Sequence, residues 1–167
     1  MTPLRRARPP VEVAAGERLL AWTPVDDGDW VGGTRDALYL PTARVPWEQV
    51  QAADWDQDQG RLRVSEVGTW GEPRPVHSFA IPDSAARDTD RLLQLLRERV
   101  TASVLISRHV PVTDRRGVRV VARRAPSGRT EVSWAYEYDE GVDPEDPFVR
   151  AAAETALAEA KADVGML

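Results

Sequence analysis

From Gly16 to Ile81 the apolar residues fall in short runs broken by turn formers, the pattern of an antiparallel β meander. Arg18–Val25 predicts a first strand, with Leu20 and Trp22 on one face and Leu19 and Ala21 on the other. Asp26-Asp27-Gly28-Asp29 predicts a turn, and Trp30–Thr34 and Ala37–Leu40 predict two further short strands. Pro41 and Pro46 bracket a connector, and Trp47–Val50 leads into a strand that reaches Trp55. Asp56–Gly60 reads as a polar turn, and Arg61–Val67 alternates with Leu62 and Val64 toward the core. Gly68–Pro75 is a loop by composition, and Val76–Ile81 is the next strand.

The period then changes. Leu92, Leu93, Leu96 and Val100 recur at three- and four-residue steps, which predicts an amphipathic helix over Ser84–Val100 with Asp83 or Ser84 as its N-cap. Val104–Val112 predicts a strand, and Gly117–Ala125 with Thr130–Asp139 predicts a hairpin. For Val118, Val120 and Ala122 to share a face with Trp134, Tyr136 and Tyr138, the loop must hold an odd number of residues. That register sets Arg119 opposite Glu137 as a cross-strand ion pair. Asp146 caps a final alanine-rich helix with Pro147 at its first position and Gly165 at its end. Its small side chains suit close packing on the aromatic face of the hairpin.

A chain of 167 residues suits one domain with an extension. The absence of cysteine excludes disulfides, thiolate metal sites and a cysteine nucleophile. A net charge of −5 argues against a dedicated nucleic-acid binder. Every basic residue except Lys161 is an arginine, scattered along the chain. Residues 1–15 read as a flexible arm, with Arg5, Arg6 and Arg8 followed by Pro9 and Pro10. No run approaches signal-peptide or membrane-span length, so a cytoplasmic location is expected.

The first block resembles the bacterial pleckstrin-homology-like (PH-like, GRAM-like) domains. The resemblance rests on "GERLLAW" at Gly16–Trp22, "VGGTRDALYL" at Val31–Leu40, "VPWEQV" at Val45–Val50 and "GRLRV" at Gly60–Val64, followed by a single helix. With "VSWAYEYDEGVDP" at Val132–Pro144 and its arginine bias, the chain also looks like a group of uncharacterised actinobacterial proteins. The resemblance implies, over residues 16–103, a bent antiparallel sheet or barrel with a closing helix; residues 104–167, read from their own pattern as a β-hairpin and a C-terminal helix packed on it, lie outside the resemblance, and the expected fold is α+β. It also implies binding of lipids, peptides or partner proteins. Lipid-binding members generally carry basic residues after the first strand, whereas here the loop is Asp26-Asp27-Gly28-Asp29, which repels a phosphate headgroup.

Candidate sites are few. Asp54–Gly60 places carboxylates at alternate positions, but a calcium loop counted from Asp54 would need glycine where Gln59 stands and glutamate where Ser65 stands. The acidic run Asp139–Asp146 reads as helix N-terminal chemistry. Arg115, Arg116, Arg119, Arg123 and Arg124 form the one dense basic cluster, and read as a solvated sheet face with Arg119 and Arg123 opposite the buried Trp134 and Tyr136. His77 and His109 read as structural or surface residues. Of the six tryptophans, Trp22, Trp47 and Trp134 are expected in the core, and Trp70, between Gly68 and Gly71, is the expected partner anchor. No catalytic, cofactor or metal motif is identified.

The sequence therefore predicts a non-enzymatic PH-like module that binds another protein near Trp70 or the hairpin. The alternative is a binder of an anionic ligand, nucleic acid or acidic lipid, through Arg115–Arg124. An enzyme is the third reading. Partner identity and oligomeric state are not legible.

Overall fold

The structure, a computed structural model, describes residues 10–68, 73–128 and 131–165. Three antiparallel sheets and two helices make it an α+β protein. The first sheet joins β1 (Ala21–Pro24), β2 (Trp30–Gly33), β3 (Ala37–Leu40) and β4 (Ala43–Pro46) in chain order. The second joins β5 (Val50–Asp56), β6 (Arg61–Glu66) and β7 (Val76–Ala80). Helix α1 (Ala86–Ser103) follows. The third sheet has the order β10 (Ser133–Tyr138), β9 (Arg116–Arg123), β8 (Val104–Thr113), and α2 (Pro147–Gly165) ends the described chain.

Period-two patterning decides which face of each strand is buried. Leu19, Ala21, Thr23 and Val25 turn inward around β1, while Leu20 is 46% exposed. Ala21 and Val25 join Leu38, Val45, Leu62, Val64, Leu92, Leu95 and Leu96 in one core shared by the first two sheets and α1. Trp47 sits at its centre, fully buried, and its indole N–H donates to the Thr34 carbonyl at 3.0 Å. Gly33 makes this packing possible. A Cβ there would lie 2.6 Å from Leu95 Cδ2 and 3.2 Å from Trp47 Cζ2, so only a bare backbone lets helix and indole approach.

Two sequence expectations need correction. The Pro41–Pro46 connector contains a strand, β4, paired with β3. Proline is tolerated there because β4 is an edge and Pro46 ends it. Neither Asp83 nor Ser84 caps α1 through its side chain. They form a single 3-10 turn, closed by the Ala85 N–H donating to the Pro82 carbonyl at 2.9 Å, and the α-helix starts behind Ala85. By contrast, Asp146 does cap α2, its Oδ1 accepting from the Phe148 N–H at 2.8 Å.

The third sheet has a small core of its own. Val120, Ala156 and Ala160 are buried there, with Ile106, Val110, Trp134, Tyr136 and Leu157 packed around them. α2 lies over β8 and β9, and its alanines share this core with Trp134 and Tyr136 of β10. The hairpin register pairs Arg119 with Glu137, and the connecting residues 124–132 are odd in number. At the far end of β9 a Cβ on Gly117 would fall 1.9 Å from the Val110 carbonyl oxygen, so β8 and β9 close tightly only over glycine.

Candidate functional site

Candidate sites are set by which polar groups the packing leaves outside. The arginine cluster of the sequence is divided by the fold. Arg115 and Arg116 lie exposed at the tight β8–β9 turn, and Arg119 is exposed mid-strand, where it donates to the Ser107 hydroxyl at 3.4 Å. Arg124 lies exposed beyond the other end of β9. At 3.3 Å per residue, Arg116 and Arg123 are about 23 Å apart along β9. No compact cationic patch results from this spacing.

Arg123 departs most from expectation. It is only 5% exposed, not part of a solvated face. Its guanidinium donates to the carbonyls of Val50 and Gln51, each at 3.2 Å, and to the Ser103 hydroxyl at 3.3 Å. Glu137 Oε1 stands 3.7 Å away, so Glu137 makes its ion pair with Arg123 and not with the Arg119 opposite it in register. Burial pushes the Arg123 guanidinium below its ordinary pKa, and the Glu137 carboxylate partly offsets this. The side chain bolts β9 to the start of β5 and the end of α1. Nearby, Arg74 donates to the Tyr136 carbonyl at 3.1 Å. Trp70, the expected partner anchor, lies outside the described residues.

Each histidine is tied to one carboxylate. His77 Nε2 lies 2.7 Å from Glu66 Oε2, and His109 Nε2 lies 2.7 Å from Asp139 Oδ2. Asp139 also accepts the Gly117 N–H at 2.8 Å. The hydrogen bond from His109, then that from Gly117, holds the Asp139 carboxyl below its usual range. Among the described residues neither histidine bonds a hydroxyl, so neither forms a nucleophile–base pair. Among the described residues, no three His, Asp or Glu side chains converge as a metal site. Of Asp54–Gly60, Asp54–Asp56 end β5 and residues 57–60 make the β5–β6 turn, with Asp56 Oδ1 accepting from the Gln59 N–H at 3.0 Å.

The densest polar network is structural. Glu17 accepts from Thr34 at 2.7 Å and from Arg44 at 3.0 and 3.1 Å, and it also receives the Tyr39 hydroxyl. The Ala14 N–H donates to Tyr39 at 2.8 Å, which ties the end of the arm to the first sheet. Burial acts to raise the Glu17 carboxyl, but hydrogen bonds from Arg44, Tyr39 and Thr34 together outweigh it and hold it below its ordinary value. A depressed carboxyl contributes stability that is present above its unfolded pKa and lost as pH falls through the folded one. Unfolding in urea at descending pH is therefore expected to show stability falling between about pH 5 and 3, with a shallower fall in Glu17→Gln. Equal slopes in the two proteins would remove Glu17 from the account.

Among the described residues the surface opens into grooves. One, of about 1010 Å³, runs over the outer face of the second sheet, with Asp54 and Asp56 of β5, Arg61 and Arg63 of β6, and Val76 and Ser78 of β7 along it. Asp54 faces Arg63 and Asp56 faces Arg61 in register, so its charge is mixed. Another, of about 380 Å³, lies between α2 and β8 beside the exposed Phe148. Arg61, Val76 and Ser78 are not singled out by the sequence; a proline-free edge strand without Asp, Glu, Lys or Arg is the signal that marks Val76 and Ser78 once the strand order is known, and Arg61 is found only through its contact with Ser78.

Comparison with family models, with curated proteins and with solved structures finds no match. Neither α1 nor α2 is long and apolar enough to cross a membrane.

Proposed function

We propose that this chain is a non-enzymatic, PH-like binding module, located in the cytoplasm, whose partner is another protein. The observation that carries the reading is the order of a four-stranded sheet, a three-stranded sheet and a closing helix, all sharing one core. Residues 16–103 make up the module on this reading, and residues 104–167 form an extension held to it by Arg123 and Arg74. The open outer groove supports a protein partner over a polyanion, because Asp54 and Asp56 stand beside Arg61 and Arg63.

The alternative, an anionic ligand held by Arg115, Arg116, Arg119 and Arg124, has the separation along β9 against it. Titrating the protein with single-stranded oligonucleotides and with phosphatidylserine vesicles discriminates the two. The proposal expects no saturable binding at physiological salt. Saturable binding that weakens steeply with salt, and is lost in Arg115→Glu/Arg116→Glu, would replace it with the anionic reading.

A further inference from the structure

An exposed strand edge is a ready template for another strand, and folded proteins usually guard it with charge, proline or a covering element. Most edges here carry such a guard. α1 lies along β1, and Arg44 and Pro46 lie within β4. The first carbonyls of β5 are taken by Arg123, Pro111 interrupts β8, and Arg74 caps the Tyr136 carbonyl of β10. β7 is the exception. Its sequence, Val76-His77-Ser78-Phe79-Ala80, holds no proline and no Asp, Glu, Lys or Arg.

The ladder shows which of its groups point outward. Glu66 N–H donates to the Pro75 carbonyl at 2.9 Å, and Ile81 N–H to the Gly60 carbonyl at 2.8 Å. Hydrogen-bonded pairs alternate along an antiparallel ladder, so Phe79 and His77 bond inward to Leu62 and Val64. Val76, Ser78 and Ala80 therefore turn their N–H and C=O groups away from β6. The Ala80 N–H is met by Asp26 Oδ1 at 3.0 Å, which bears out the direction. Among the described residues, no strand meets Val76 or Ser78, and both are exposed. A cation stands at the same place: Arg61 donates to the Ser78 hydroxyl at 2.9 Å, carrying its guanidinium from β6 over the short serine toward the open edge.

We infer that β7 is the docking edge of the module: an extended segment of a partner protein adds to it as a fourth strand, with a carboxylate opposite Ser78 that pairs with Arg61. This rests on the protein-binding reading and names its surface. Main-chain bonds to Val76 and Ser78 supply affinity, and alternate side chains lying over the outer groove supply selectivity.

The test selects a phage-displayed library of random peptides on the 167-residue chain, then follows amide exchange by NMR with a synthesised binder. Expected are binders with an acidic residue among β-branched or aromatic neighbours, and slowed exchange at the Val76 and Ser78 amides. Ser78→Pro removes an outward N–H together with the hydroxyl that receives Arg61, and no bond to β6, so it is expected to weaken the peptide about tenfold or more without loss of fold. Val76→Lys, an added edge charge, acts the same way if the proline variant fails to fold. Arg61→Glu is expected to cost about tenfold, while Arg91→Glu on the exposed side of α1 changes nothing. Binders that leave both amides unprotected and survive both edge variants overturn the edge but not the wider protein-binding reading. A library without binders overturns the edge as well. A concentration-dependent dimer lost in both edge variants overturns the acidic partner in favour of a second copy of this chain.

Discussion

Arg123→Ala is expected to lower unfolding stability by about 3 kcal/mol, because it strips hydrogen bonds from three acceptors in one buried place and leaves Glu137 without its cation. For a chain of this size that is a fall in Tm of about 9 °C. The cost of burying the cation, felt in its depressed pKa, keeps the figure from being larger. Arg123→Lys is not a rescue: one ammonium on a flexible stem cannot reproduce a planar fork that meets Val50 and Gln51 from one nitrogen each. Because these bonds join β9 to β5 and α1, loosening of the third sheet is expected before the first two melt. Urea unfolding followed residue by residue by NMR, comparing amides of β9 and β10 with those of β2 and β3, would read this. A loss below about 1 kcal/mol, or coincident transitions in Arg123→Ala, would show that the side chain is not the bolt described.

Trp47→Ala is expected to cost about 4 kcal/mol, the scale of emptying a fully buried indole from a packed core. Trp47→Phe separates the two parts of that loss. It keeps most of the contact with Gly33 and α1 but leaves the Thr34 carbonyl without its 3.0 Å donor, at about 1–2 kcal/mol. Urea unfolding of both variants checks the division. Equal losses would mean that the hydrogen bond, not the packing, carries Trp47.

Much of this architecture is written in local pattern. The alternation of Val118, Val120 and Ala122 against Trp134 and Tyr136 predicts the hairpin face and register, because a one-residue slip would expose the whole set. The leucine spacing predicts α1, and Asp146-Pro147 predicts the start of α2. What the pattern misses depends on contacts distant in sequence. Arg123 alternates like a surface residue, yet it is buried because Val50 and Gln51, more than seventy residues earlier, bring two carbonyls to it. The arginine cluster reads as dense because its members are close in number, whereas an extended strand spreads them over about 23 Å. The open edge of β7 is invisible until the strand order is known, since nothing in its sequence says that no strand lies beside it.

Whether this chain is a protein-binding module is read by affinity capture with the tagged 167-residue chain from a nuclease-treated lysate of its source, followed by mass spectrometry. Expected is one specific protein, resistant to nuclease and lost with Val76→Lys. Recovery of nothing, or only of material that nuclease removes, would contradict the protein-binding reading.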